Sequence, residues 1–202
     1  MEKEVLIVID VQNDFLPGGT LAIPQSDIIL PTVNNLIDHF DHVIFTQEWH
    51  PKNHCSFASS YPNKVPYDTV DLNYGSQILW PDHCIQGTQG AEFHKSLKTE
   101  KAQLILRKGY NQNIDSYSAF FENDHKTPTG LQLYLKERGF TKLVMCGLAT
   151  DFCVGFSALY AIKCGFKVSV SLNACAGIDL NGSLNTMLKT MNEADIELLM
   201  AS

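Results

Sequence analysis

Three side chains far apart in this 202-residue chain could together activate a cysteine nucleophile: Asp10, Lys108 and Cys153. Cys153 follows an apolar run that breaks at Gly147, and it stands where a helical pattern begins. Unpaired backbone N–H groups and the helix dipole favour an anion at such a place, so we expect this thiol to ionise more easily than a free one. From position alone, a buried cysteine that packs as a small apolar side chain is the alternative.

Asp10 and Lys108 each follow an apolar run of strand type. A carboxylate can accept the proton of a thiol, and an ammonium group stabilises the resulting thiolate. Taken singly, Asp10 could cap a turn and Lys108 could be a solvated surface lysine. Their shared position at strand ends favours an activated-nucleophile site together with Cys153.

The apolar patterns between these residues predict alternating strands and helices. We expect strands at 4–9, 42–46, 103–107, 143–146 and 167–171, with 196–200 as a further candidate, and helices at 26–39, 127–138, 152–164 and 181–194. Ser26 is the expected cap of the first helix. This alternation predicts an α/β fold, in which one three-layer α/β/α domain over residues 1–202 contains a mostly parallel, roughly six-stranded sheet. Ligands bind beyond the carboxyl ends of the strands in such sheets, which is where the three candidate residues fall.

The long segment 48–102 is rich in proline and histidine, and a loop of that length in a compact domain is usually functional. Its side chains Glu48, His50, His54 and His83 are oxygen and nitrogen ligands suited to zinc, iron or manganese. Histidines on loops are also commonly just solvated. We therefore expect this segment to be an insert, and from the residue types alone a metal site and ordinary solvated histidines are both open.

The composition excludes several classes of protein. A formal net charge of −7 argues against nucleic acid or an anionic membrane as partner. No run approaches the roughly 18 apolar residues of a membrane span, and the first apolar run is too short for a signal peptide, so we expect a cytoplasmic protein. The 6 cysteines are scattered without a Cys-x-x-Cys pair, which favours free thiols over a disulfide framework. There is also no glycine-rich dinucleotide fingerprint or phosphate-binding loop.

Short motifs are spread along nearly the whole chain. They occupy residues 10–15 (DVQNDF), 17–19 (PGG), 49–51 (WHP) with His54 and 56–57, 80–84 (WPDHC) with 87–88, 108–109 (KG), 115–120 (DSYSAF) and 147–154 (GLATDFCV). This set, in this order, resembles the isochorismatase-like cysteine hydrolase superfamily and, within it, the nicotinamidase family.

The resemblance implies a catalytic role for each of the three residues identified first. Asp10, Lys108 and Cys153 match the catalytic triad of the family, and the backbone N–H groups of Ala149 and Cys153 match its oxyanion hole. The bond between Leu148 and Ala149 matches a cis peptide ahead of the nucleophile. The implied substrate-binding residues are Phe15, Trp80, Tyr117 and Leu148.

The implied reaction is the hydrolysis of nicotinamide to nicotinate and ammonia through a thioester, a step of NAD salvage. Two alternatives remain open. A sister amidase acting on a carbamoyl or ureido compound would keep the triad but has no reason for the histidine cluster. A homologue that binds metal or a pyridine ligand without turnover is the alternative outside enzymes.

The resemblance also implies one divalent metal ion per chain, zinc first, with iron or manganese as alternatives. The matched ligand set is an acidic residue with His50 and His83, and His54 stands where relatives place a further direct or water-bridged ligand. Glu48 departs from the family pattern, which has Asp before the aromatic-His-Pro motif. The extra methylene could shift the geometry, weaken the site or change the preferred ion. The small molecule nicotinamide is the expected partner, and the sequence leaves a homo-oligomer open.

Overall fold

A computed structural model describes residues 2–200 of the chain. Its strands are β1 Glu4–Ile9, β2 Val43–Glu48, β3 Thr69–Leu72, β4 Gly75–Ile78, β5 Ala102–Lys108, β6 Lys142–Leu148, β7 Lys167–Ala176 and β8 Glu197–Leu199. Its α-helices are α1 Leu30–His39, α2 Leu131–Glu137, α3 Gly155–Lys163 and α4 Ser183–Glu193. The expected span 1–202 extends at both ends past the described residues. No helix between residues 2 and 200 combines the length and apolar character needed to cross a membrane.

Six strands form one sheet in the order β5-β2-β1-β6-β7-β8, and every neighbouring pair is parallel. The chain moves outward from β1 through β2 to β5, and it then crosses to the other side of β1 to lay down β6, β7 and β8. The strand order therefore reverses between β1 and β6, and ligands of open α/β sheets bind at such a switch point. The predicted α/β fold with a mostly parallel six-stranded sheet is confirmed.

Burial follows the strand positions in this sheet. The central strands β1 and β6 are buried on both faces, which is why they read as nearly continuous apolar runs. β5 lies at the edge and alternates, and its Ile105 is 46% exposed. Lys108, at the end of β5, is nevertheless buried, with 1% of its surface exposed. The edge strand thus delivers a lysine into the interior, where an unpaired charge would be costly.

The insert between β2 and β5 contains the antiparallel hairpin of β3 and β4, which forms a separate two-stranded sheet. Two polar side chains following β1 tie this insert to the sheet. Gln12 donates to the carbonyls of Glu48 and Ala91 at 2.8 and 2.9 Å, and Asp14 accepts the N–H of Cys84 at 2.7 Å. The loop that carries Trp80 and His83 is therefore fixed by groups buried next to β1.

The helix boundaries differ from those expected, for local reasons. The helix predicted at 26–39 begins at Leu30, where the following Pro31 suits the first turn, and Ser26 is a buried hydroxyl without a hydrogen-bond partner among residues 2–200. The helix predicted at 127–138 begins only at Leu131, because Gly130 is left-handed with φ +97°. A π-helical turn over Thr150–Val154 precedes α3. The six cysteines are free, as expected.

Candidate active site

The ends of four adjacent strands bring the candidate side chains together. Lys108 is the register partner of Glu48 between β5 and β2, and Gly147 of β6 pairs with Ile9 of β1, directly before Asp10. Gly147 has φ +116°, and a Cβ built there would lie 2.1 Å from the carbonyl oxygen of Ile9. Glycine therefore permits the close approach that sets the turn before Cys153 beside Asp10.

Lys108 is the centre of the cluster. Its Nζ lies 2.9 Å from Asp10 Oδ2, 2.9 Å from Glu48 Oε1 and 2.9 Å from the carbonyl oxygen of Ser116. The sulfur of Cys153 is 3.4 Å away. Burial by itself would lower the pKa of Lys108, but the charges of Asp10, Cys153 and Glu48 raise it well above its ordinary value. The ammonium group stays protonated and is shared by two carboxylates and the thiol.

Asp10 is held rigidly where β1 ends. Its backbone is left-handed with φ +49°, and the hydroxyl of Thr46 donates to Oδ1 at 2.7 Å. The backbone N–H of Asp10 donates in turn to the same hydroxyl oxygen at 3.2 Å. Burial raises the pKa of Asp10, although the ammonium of Lys108 opposes the shift. A carboxylate with a raised pKa accepts a proton more readily than a solvated one.

Cys153 is buried, and besides Lys108 its thiol lies close to two carboxylates. Its S–H donates to Glu48 Oε1 at 3.4 Å, and one oxygen each of Asp10 and Glu48 lies with Sγ in a group whose atoms are all within 4.8 Å of one another. Burial raises the pKa of Cys153 well above that of a free thiol, with Lys108 acting against it. Burial thus opposes the easy ionisation expected for this thiol, whereas the ammonium of Lys108 favours it. Attack by this sulfur requires a base that removes its proton.

A second cluster lies on the other side of Glu48. Its Oε2 is 3.2 Å from His50 Nε2 and 3.0 Å from His83 Nε2. The Nδ1 atoms donate to backbone carbonyls, that of His50 to Gly109 at 2.8 Å and that of His83 to Pro81 at 2.7 Å. In the neutral rings the Nε2 lone pairs therefore face a carboxylate oxygen. Such a set needs a shared proton or a cation between its members, and it is the donor set expected for a metal such as zinc.

Glu48 belongs to both clusters. Burial would raise its pKa, but the charge of Lys108 and the contacts with His50 and His83 hold the pKa well below its usual range. The carboxylate is ionised, as a ligand must be. Its length lets one oxygen face the histidines while the other contacts Lys108 and Cys153.

His54 lies beside this cluster, and its ring centre is 4.3 Å from that of His50. A nitrogen of His54 also lies within 4.8 Å of potential ligand atoms of His50 and Asp115. Both of its nitrogens are engaged, however: Nε2–H donates to the carbonyl of Asn111 at 2.9 Å, and Nδ1 accepts from the hydroxyl of Ser56 at 2.7 Å. Burial lowers the pKa of His54 to about 4, so the ring is neutral. The structure places His54 next to the donor set formed by Glu48 and the other two histidines, with no nitrogen left free to join it.

A small pocket opens onto Cys153 and Ala149, and aromatic side chains form much of its wall. Phe15, Trp80 and Tyr117 line it, as the resemblance implied. The indole N–H of Trp80 donates to the hydroxyl of Tyr117 at 3.1 Å, which fixes the two rings relative to each other. A planar aromatic ring of modest size suits such a wall.

The structure corrects the expectation that Leu148 lines the substrate pocket. Leu148 is fully buried in the core and does not line the pocket, because it is the last residue of β6 and its side chain packs within the sheet. The next residue, Ala149, reaches the pocket wall instead. The bond between Leu148 and Ala149 is cis, as the resemblance implied.

Five pocket residues were missed from the sequence: Leu21, Ile23, Asp115, Phe152 and Ile178. The ring of Phe152 is perpendicular to that of Trp80 at 4.9 Å between centres. Its position next to the nucleophile was a usable signal, as was the place of Asp115 in the motif at 115–120. Ile178 lies on an irregular segment after β7, and nothing in its local sequence indicated a pocket residue.

Comparison with known proteins gives concordant findings. The model of a family described as the isochorismatase domain matches residues 4–199. A nicotinamidase of Acinetobacter baylyi is 52% identical over 192 residues, which is 95% of this chain and 90% of the relative. The solved structure of an Acinetobacter baumanii nicotinamidase and pyrazinamidase has 54% identity and a TM-score of 0.97 and covers 99% of this chain and 97% of that one. A Pyrococcus horikoshii pyrazinamidase in complex with zinc has 33% identity and a TM-score of 0.79, with coverage of 98% and 99%.

Proposed function

The chain belongs to the isochorismatase family, and we propose that it hydrolyses nicotinamide to nicotinate and ammonia with Cys153 as the nucleophile. The relatives that support this activity are nicotinamidases that match nearly the whole chain. The observation that carries the mechanism is the position of Lys108, whose ammonium contacts both Asp10 and Cys153 in the interior. Beside this nucleophile cluster, the site offers a small pocket lined by aromatic side chains.

The first step joins the sulfur to the substrate. Cys153 Sγ attacks the carboxamide carbon and forms the C–S bond while the thiol proton passes to Asp10, the nearby carboxylate whose pKa burial raises. Lys108 stays protonated and stabilises the developing thiolate. The backbone N–H groups of Ala149 and Cys153 serve as the oxyanion hole for the tetrahedral intermediate.

The second half of the reaction releases both products. The C–N bond breaks, Asp10 returns its proton to the departing ammonia, and an acyl thioester remains on Cys153. Water then adds to the thioester with Asp10 as base, the C–S bond breaks, and Asp10 returns that proton to the departing sulfur. The nicotinic acid leaves and gives its own proton to the released ammonia, which yields nicotinate and ammonium. The proton balance is closed because the thiol is restored.

Substrate orientation is assigned to the pocket wall and to the histidine cluster. Phe15, Trp80 and Tyr117 hold the pyridine ring, so that its carboxamide faces Cys153. A divalent ion held by Glu48, His50 and His83 would supply an anchoring point for the ring nitrogen when bound. Zinc is the first choice, in line with the donor set and with the zinc found in the Pyrococcus horikoshii relative.

Ammonia release from nicotinamide tests the activity directly. We expect the purified protein to release ammonia and Cys153→Ala to lose this activity while its thermal unfolding stays close to that of the wild type. Cys164→Ala is the matched control, since this half-buried cysteine lies outside the pocket and its loss leaves the rate unchanged. An active Cys153→Ala protein would falsify the mechanism, and a wild-type protein that fails to act on nicotinamide would remove the assigned substrate.

Zinc affinity, measured by competition with a chelating dye, tests the ligand set without any assay of turnover. Glu48→Gln removes the ionised oxygen between the two histidines, and we expect affinity to fall at least about tenfold. His54→Asn removes a ring whose nitrogens already bond to protein atoms, so affinity stays within about threefold of the wild type. The reverse order of effects would reassign the site from Glu48 to His54.

Three further expectations stay predictions of the sequence. They are a single domain over residues 1–202 with its insert at 48–102, a cytoplasmic location, and a possible homo-oligomer. Gel filtration with light scattering determines the last of these.

A further inference from the structure

Asp151 is a buried carboxylate for which the proposed reaction has no chemical use. It lies in the π-helical turn that carries the nucleophile, two residues before Cys153, and only 2% of its surface is exposed. Its Oδ1 accepts the backbone N–H of Ile178 at 2.9 Å, and its Oδ2 accepts that of Asp179 at 2.7 Å. The hydroxyl of Ser183 also donates to Oδ2. Three donors from one segment therefore converge on a single side chain.

The segment that supplies these donors is residues 177–183, which we call the pocket strap. It joins the end of β7 to α4, and its backbone is left-handed at Asp179, Asn181 and Gly182. At Gly177 the strap packs so closely that an added Cβ would lie 3.2 Å from Asp151 Oδ1 and 2.9 Å from Leu184 Cδ1. The strap has little regular structure of its own and depends on outside contacts for its position.

The strap contributes directly to the reaction pocket through Ile178. This half-buried side chain lines the pocket together with Cys153, Ala149 and Phe152. The two backbone N–H groups that bind Asp151 belong to Ile178 itself and to the following residue, so the carboxylate fixes the strap at the point where it reaches the pocket.

We propose that Asp151 is a positioning residue that holds the pocket strap against the site, so that Ile178 forms one wall of the substrate pocket. An ionised carboxylate only accepts hydrogen bonds and can satisfy all three donors. An amide cannot do so, because its NH₂ group would face a backbone N–H. This inference rests on the proposed function for its substrate, while the position of the strap can be measured without substrate.

The proposal predicts an effect on substrate binding rather than on chemistry. When the strap is released, the ring loses the apolar wall of Ile178, so KM for nicotinamide rises while kcat changes little. If Asp151 merely shaped the turn around Cys153, its loss would lower kcat instead. The division of the effect between KM and kcat therefore separates the two roles.

The experiment is a double-mutant cycle on Asp151→Asn and Ile178→Ala. We expect each single variant to raise KM about tenfold, the scale of losing a few methylene contacts in an apolar pocket, with kcat within about threefold. The double variant has nearly the same KM as either single variant, because both remove the same wall. A fall in kcat at unchanged KM, or effects on KM that multiply, would overturn the proposal.

Asp124→Asn is the matched control. Asp124 also accepts two backbone N–H groups and a hydroxyl, from Lys126 and Thr127, but it lies outside the pocket. We expect this variant to keep both KM and kcat, which shows that loss of a carboxylate with three donors is not harmful in itself. A tenfold rise in KM in this variant would count against the special position of Asp151.

Hydrogen exchange gives a readout that needs no turnover. In Asp151→Asn the backbone amides of Ile178 and Asp179 exchange faster than in the wild type, whereas in Ile178→Ala they do not. Gly177→Ala disturbs the strap from its own side and should raise KM in the same way, so the test survives if Asp151→Asn fails to fold. Unchanged exchange of these two amides in a folded Asp151→Asn protein would refute the proposal that Asp151 holds the pocket strap. A wild-type protein inactive on nicotinamide would refute only the proposed function.

Discussion

Replacement of Lys108 by methionine removes the one ammonium group between two buried carboxylates. Methionine keeps the length and most of the volume of the side chain, so the main change is electrostatic. Asp10 and Glu48 each lose a contact of 2.9 Å in the interior. Removing one partner of a buried ion pair costs about 3–5 kcal/mol, and in a domain of this size that lowers Tm by about 6–20 °C.

The loss of stability depends on pH in a direction set by the carboxylates. In the wild type the pKa of Glu48 is depressed, so its stabilising contribution is present above its unfolded pKa, about 4.3, and is lost only as pH falls through the lower folded pKa. Without Lys108, burial raises the pKa of both carboxylates in the folded state. A raised carboxyl pKa opposes folding at neutral pH, and this penalty disappears as the groups protonate. The difference in Tm is therefore largest near neutral pH and shrinks towards pH 4.

Calorimetry at two pH values with equal metal content measures this difference. Lys98→Met is the matched control, because Lys98 pairs with Asp38 at the surface, and exposed pairs contribute at most about 1 kcal/mol. Adding Asp10→Asn to Lys108→Met removes one unpaired charge and should raise Tm again. The reasoning fails if Lys108→Met is as stable as Lys98→Met, or if the double variant is less stable than Lys108→Met alone.

Two further predictions concern the metal cluster and the pocket. Gly109→Ala should weaken zinc binding at least about tenfold in a chelator competition, because the added Cβ would lie 2.5 Å from Cε1 of His50. Gly139→Ala is the control and should leave zinc affinity unchanged, because Gly139 also has a positive φ but has open space around it. Equal zinc affinities in the two variants would contradict this prediction. Tyr117→Phe should raise KM for nicotinamide and lower the free energy of unfolding by about 1–3 kcal/mol, because the indole N–H of Trp80 loses its acceptor. Steady-state kinetics measure KM, and denaturant unfolding measures the free energy. Unchanged values of both would show that this hydrogen bond is dispensable.

Much of the sheet could be predicted because its central strands are buried on both faces. The runs at β1 and β6 contain little but apolar residues, and a pattern of that kind leaves few alternatives. The hairpin of β3 and β4 was not predicted, since its residues are mostly polar and half exposed. The start of α1 was misplaced because Ser26 looked like a cap, while Pro31 marks the actual first turn.

In the candidate site, too, the features that depend on local sequence could be predicted, and those that depend on tertiary packing could not. Positions at strand ends indicated Asp10 and Lys108, and the family motifs assigned them their roles. The burial that raises the pKa of Cys153 could not be inferred, because it depends on the packing of the whole site. The double contact of Glu48 was also out of reach, since it requires the register between β2 and β5.

The strand order of the sheet bears on how activity is gained during folding. The contacting pair Glu48 and Cys153 is separated by 105 positions in sequence, and Lys108 and Cys153 by 45. Each contact requires a crossover to close between parallel strands, and such non-local pairings are the slow events of folding. Helices form within about a microsecond, and because their hydrogen bonds are local, helix formation does not report these long-range contacts. Recovery of ammonia release after dilution from denaturant should therefore lag behind helix formation and report the docking of β6 beside β1.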